Sequence, residues 1–111
     1  MDPVLMAGLP EIWLVHEVQV EPFAGAGAYG DTFGPAVTRA GFMEEKRRKI
    51  RDKNGAEVVS NSTFYTQLDH VADFPVGSRV AYAGRVSKVL TADRHDGAGL
   101  PLPSHLEVYL Q

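Results

Sequence analysis

The sequence predicts an all-β fold, a small antiparallel barrel, and three observations predict it. Apolar residues recur with a period of two, not 3.6. Turn-forming residues return about every eight to twelve positions, the spacing of barrels and sandwiches. The one helical candidate, Val4–Val15, is interrupted by Gly8 and Pro10. The 111 residues suffice for one core, because a chain of this size buries roughly 60 to 70 % of its unfolded surface. We expect an N-terminal arm over residues 1–15 and a single barrel domain over 16–111.

Taken in order, Leu14–Glu21 alternates strictly. Leu14, His16, Val18 and Val20 share one face, and Glu17, Gln19 and Glu21 the other, as in a half-buried strand. Pro22 ends it. The glycine-rich Ala24–Pro35 reads as a long loop with neither helix nor ladder. Ala36–Arg51 reads as one long strand with a bulge at Gly41. Asp52-Lys53-Asn54-Gly55 is a hairpin turn, and the Val-, Thr- and aromatic-rich Ala56–Thr66 is the return strand. Its register brings Arg47–Arg51 beside Glu57–Asn61. Gln67–Gly77 is a connection with one helical turn. Arg79–Ala83 and Arg85–Thr91 are short strands broken at Gly84, and Asp93–Pro103 is a second Gly/Pro-rich loop. In the closing strand, Leu106, Val108 and Leu110 point one way, Glu107 and Tyr109 the other. That makes six or seven strands.

Composition narrows the function. Hydrophobic residues are 44 % and charged residues 23 %, an ordinary globular balance. No apolar run approaches the roughly 18 to 20 residues of a spanning helix. The start, MDPVLMAGLP, lacks the basic and apolar regions of a secretory leader. With no cysteine, disulfides, thiolate metal sites and cysteine nucleophiles are excluded. The net charge of −3 does not mark a nucleic-acid binder.

The distribution of charge is more pointed. Six of the eleven basic residues fall within eight positions: Lys46, Arg47, Arg48, Lys49, Arg51 and Lys53. On a projecting hairpin they would serve as a solvated face, a socket for an acidic protein, or a set of phosphate contacts. The glycine-rich loop lacks a following Gly-Lys-Ser/Thr and leads into a strand, which argues against a phosphate cradle. Its residues Gly25, Gly27, Tyr29, Gly30, Phe33 and Gly34 read better as an arm whose aromatics order against a partner. Asp93, His95, Asp96 and His105 suggest a metal or acid–base site, but their spacing fits no helical ligand pair. His16, alternating with apolar residues, reads as a satisfied core or interface histidine, and His70 as a histidine with no neighbour. No nucleophile elbow or His-Glu-x-x-His is present. Catalytic, cofactor and metal residues are expected to be none.

The order of parts is itself informative. A strand ending in VEPF is followed by AGAGAYGDTFGP, the basic EEKRRKIRDKNGAEVV hairpin, PVGSRV and a closing RHDGAGLPLPSHLEVYLQ. From about Val18 to Gln111 this resembles the head-to-tail stopper (head-completion) proteins of tailed bacteriophages, particularly those infecting actinobacteria. The resemblance implies a small β-barrel that adds as a dodecameric ring beneath the portal and adaptor rings. It implies a structural role in the virion neck, assembled in the host cytoplasm: closing the channel after DNA packaging and offering the tail its docking surface. It implies no catalysis and no cofactor. The partners implied are copies of the chain itself, the portal and adaptor rings, the tail proteins and the packaged DNA end. One loop per subunit would reach the ring axis, and Ala24–Pro35 is preferred for it. The basic hairpin would face the DNA end or the adjacent ring. Two other readings stand beside this one: a tail-terminator or tail-completion ring, and an SH3-like or OB-type nucleic-acid-binding barrel suggested by PVGSRVAYAGRVSKVL.

Overall fold

A computed structural model describes residues 15–95 and 105–111; the expected arm therefore lies outside the described residues except for Val15. The described residues form ten strands: β1 His16–Glu21, β2 Phe23–Gly27, β3 Gly30–Phe33, β4 Val37–Glu44, β5 Arg48–Arg51, β6 Glu57–Ser60, β7 Ser62–Thr66, β8 Arg79–Tyr82, β9 Arg85–His95 and β10 His105–Leu110. Six of them close an antiparallel barrel in the order β1-β4-β7-β10-β9-β8, with β8 pairing back to β1. The other four make two separate hairpins, β2–β3 and β5–β6. No helix among the described residues is long and apolar enough to cross a membrane.

The alternation read from the sequence sets the interior. Val18 and Val20 of β1 and Leu106, Val108 and Leu110 of β10 are buried, with Met43, Phe64, Val80 and Val89 between them. A 3₁₀ helix, Leu68–Asp73, follows β7 in the expected connection. Phe74 comes next and packs on Phe64, ring centroids 6.0 Å apart. Thr63 is fully buried, and among the described residues its hydroxyl has no partner. An unmet buried hydroxyl costs about 1–3 kcal/mol. Thr63→Val is therefore expected to raise stability by about 1 kcal/mol, measured as a higher denaturation midpoint.

Several expectations are corrected. The glycine-rich segment does hold a ladder: Gly25 pairs with Thr32, Ala26 with Asp31 and Gly27 with Gly30. The compensation is local. Thr32 donates to the Gly25 carbonyl at 2.9 Å, Gly34 N–H closes the base on the Pro22 carbonyl at 2.8 Å, and Phe23 meets Phe33 edge-on. The long strand over 36–51 is two strands, because the chain leaves the barrel after Glu44 pairs with Thr63 and then pairs only with β6. The return strand over 56–66 breaks likewise at Asn61, whose N–H turns to the Leu110 carbonyl. These short strands raise the count from six or seven to ten.

Gly41 is no bulge. It pairs regularly with His16 on one side and Thr66 on the other, and the ring of Phe64 occupies the space of its missing Cβ. Finally, β9 runs through Asp93 and Arg94 to His95, which the second loop was expected to contain. Its pairing with β10 extends it that far.

The hairpin turn and its register hold as expected. Arg48 lies opposite Ser60, Lys49 opposite Val59, Ile50 opposite Val58 and Arg51 opposite Glu57. The Asp52 carboxylate accepts the N–H groups of Asn54 and Ala56 at 2.8 and 2.9 Å. Gly55 takes φ 81°, a left-handed conformation that glycine enters without strain.

Candidate functional site: two hairpins on a barrel

Antiparallel pairing sends consecutive barrel strands in opposite directions. The β2–β3 hairpin leaves after β1, where Val20 pairs with Val37. The β5–β6 hairpin leaves after β4, where Glu44 pairs with Thr63. These are opposite ends of β4, so the hairpins project from opposite poles. The molecule is accordingly elongated, 52 × 29 × 23 Å.

At the first pole the two aromatics expected to seek a partner part ways. Phe33 is fixed at the hairpin base, under the Arg79 guanidinium at 3.9 Å from the ring centre. Arg79 also bonds Glu21 at 3.0 Å, and the Phe23 N–H donates to Ser78 Oγ at 2.8 Å. Tyr29 sits at the tip, fully exposed at 106 %. Around it Gly25, Gly27 and Gly30 leave a smooth strut with a single aromatic knob, while Gly34 ties the base.

At the second pole the six cations also divide. Lys46, Arg47, Lys49, Arg51 and Lys53 are exposed. Lys49 lies 3.8 Å from Glu57, and Arg51 donates to the Gly55 carbonyl at 3.0 Å. Arg48 turns back to the barrel, pairing with Glu44 and donating to Tyr65 Oη at 3.1 Å. Tyr65 in turn donates to Glu44 Oε1 at 3.1 Å. Arg48 is thus an anchor at the hairpin base and not a free surface cation.

This anchor belongs to a polar wall that sequence reasoning missed. On the outward face of β10, Tyr109 donates to Glu107 Oε1 and His105 meets Glu107 Oε2, each at 3.1 Å. The Glu107 side chain is only 13 % exposed. The alternation of residues 105, 107 and 109 was visible in the sequence, but their neighbour Tyr65 on β7 was not. Burial, then the Glu107 charge and hydrogen bond, push the Tyr109 phenol up to about 12. Burial and the bond to Glu44 raise Tyr65 as well. A phenol raised above its unfolded value near 10 contributes stability that is complete below about pH 10 and is lost as pH climbs toward 12. Wild-type protein should therefore lose stability between about pH 10 and 12, more steeply than Tyr109→Phe. Phenolate absorbance and denaturant midpoints across that range check this.

The histidines fall out as follows. His16 accepts the Met43 N–H at 3.0 Å on Nδ1, with its ring between Phe42 and Tyr82, a satisfied histidine as expected. His70 does have neighbours. Its Nδ1 lies 3.9 Å from Asp73, which Arg39 binds at 2.7 Å. Burial, and then Arg39, lower its pKa. The register sets residue 93 opposite Glu107 and residue 95 opposite His105, whereas Asp96 lies outside the described residues. Among the described residues no group of three histidines or carboxylates is placed to hold a metal ion.

The surface hollows among the described residues include two that no histidine lines. A groove of about 290 Å³ is lined by Glu17, Gln19, Thr38, Ala81, Ala83 and Gly84 among others. A hollow of about 520 Å³ lies by Glu45, Asn61, Arg85 and Val86. Compared with known proteins, the chain matches no family model, no curated sequence and no solved structure.

Proposed function

We propose that this chain is a structural protein of the bacteriophage neck, a ring-forming head-to-tail stopper that closes the portal channel after DNA packaging and presents the tail-docking surface. The observation that carries the reading is the pair of hairpins on opposite poles of one closed barrel. A subunit so built contacts one neighbour at each end, as a ring stacked between two others must. The barrel supplies the ring body, and the smooth β2–β3 hairpin with Tyr29 at its tip extends toward the axis. The exposed tip and base cations Lys46, Arg47 and Lys53 meet the DNA end or the ring above. A ring multiplies each weak contact, so strong attachment needs no deep pocket. The protein would reside in the virion neck after assembly in the host cytoplasm.

The free nucleic-acid-binding barrel is less well supported. Such modules set aromatics and cations in one groove, whereas here the exposed tyrosine and the free cations lie at opposite poles.

The test is charge reversal of Arg47 together with Lys53, both exposed, leaving the anchor Arg48 and the face of Lys49 and Arg51 in place. Folding, read by ellipticity and thermal midpoint, should stay intact while the yield of joined, DNA-retaining particles falls. Full infectious particles from this variant would reduce the basic hairpin to a solvated face.

A further inference from the structure

We propose that the exposed face of the β5–β6 hairpin docks on the outer wall of β1 and β8 in a second copy of this chain. Lys49 and Arg51 would meet Glu17, and Val59 would meet Val86. The inference rests on the ring reading above and specifies the contact within the ring.

Alternation splits the hairpin into two faces. Arg48, Ile50, Val58 and Ser60 share one, which is half-buried or buried; Lys49, Arg51, Glu57 and Val59 share the other, which is exposed. On that exposed face a valine sits between cations, 44 % exposed. The barrel wall offers the complement. Thr38, Gln19, Ala81 and Val86 stand abreast on four adjacent strands. Val86 is 66 % exposed beside the groove of about 290 Å³, whose lining includes Thr38, Ala81, Ala83, Gly84 and Tyr82 and whose acid is Glu17. Among the described residues no cation pairs with Glu17.

Charge points the same way. Residues 46–57 contain six cations and two carboxylates, a formal +4, which leaves −7 on the rest of a chain whose total is −3. Each copy therefore carries a basic projection and an acidic body, and opposite potentials steer and orient association. A nucleic acid suits this face less well, since the exposed Val59 would gain nothing from phosphate. The two patches differ, so the contact is head-to-tail, the kind that closes rings. One face of a four-residue-stranded hairpin is a limited surface, and a stable pair buries roughly 1,200 Å² or more. Single contacts should be weak and the free protein monomeric at low concentration.

The absence of cysteine makes the test clean. Val59→Cys and Val86→Cys chains carrying different tags are mixed at high concentration and oxidised. We expect disulfide heterodimers well above the homodimers that each chain gives alone, and a ladder of multimers from the double variant. In parallel, Lys49→Glu in the Val59→Cys chain and Glu17→Lys in the Val86→Cys chain should each abolish the crosslink, and the two chains so altered, mixed together, should restore it. Heterodimers at the statistical level, or a double charge swap that restores nothing, would overturn the interface. Loss of this interface with neck assembly intact leaves the stopper reading standing. Crosslinking without any attachment to portal or adaptor rings would refute the stopper reading alone.

Discussion

Replacing Gly41 by alanine should destabilise the barrel by at least about 3 kcal/mol, the upper range for overpacked cores. A Cβ at this position collides with the Tyr65 carbonyl oxygen and falls 2.6 and 2.8 Å from ring carbons of Phe64. Neither neighbour can yield cheaply. The carbonyl belongs to β7, paired with β4 on one side and β10 on the other. Phe64 is fully buried and packed on Phe74. A domain of this size has about 5–15 kcal/mol in all, so the loss is a large share of it. At about 4 °C per kcal/mol, the melting midpoint should fall by roughly 12 °C or more. An unchanged midpoint would mean that β4 and β7 do not pair in the register described.

Trimming the β2–β3 hairpin has its largest effect on assembly. The structure shows where to cut: Phe23, Phe33 and Gly34 hold the barrel end through Arg79, Ser78 and Pro22, and must stay. Residues 26–31 make no such contact, so replacing them with Asn-Gly keeps a two-residue turn and removes the tip with Tyr29. The thermal midpoint should be nearly unchanged. If the hairpin forms the plug, heads should fill and then leak, with infectious particles down about a hundredfold or more, because the defect repeats around a multivalent ring. Normal virions from this variant would exclude the hairpin as the closing element.

Much of the barrel was legible in the sequence, for an identifiable reason. Val18 and Val20, or Leu106, Val108 and Leu110, alternate so strictly that only one face can be buried. Asn54-Gly55 names its own turn. What escaped notice depends on which strand lies opposite. Ala24–Phe33 reads as a loop because its glycines and alanines bury nothing, yet two such strands can pair when a tight turn and an aromatic base hold them. The passage from β4 to β5 carries no local break signal, since the change there is of partner. The division of the basic cluster was invisible for the same reason. Arg48 looks like its neighbours until Glu44 and Tyr65 are seen on the adjoining strands. Of the candidate site, then, the two projecting segments could be found in advance, but not which side chains are free to act.

The strand order also has a consequence during synthesis. Because β10 lies between β7 and β9, the barrel cannot close until residues 105–110 have left the ribosome. Until then the nascent chain exposes the unpaired edges of β7 and β9, open to mispairing with other chains. Closure joins segments distant in sequence, as when Asn61 meets Leu110, and pairings of that kind form slowly.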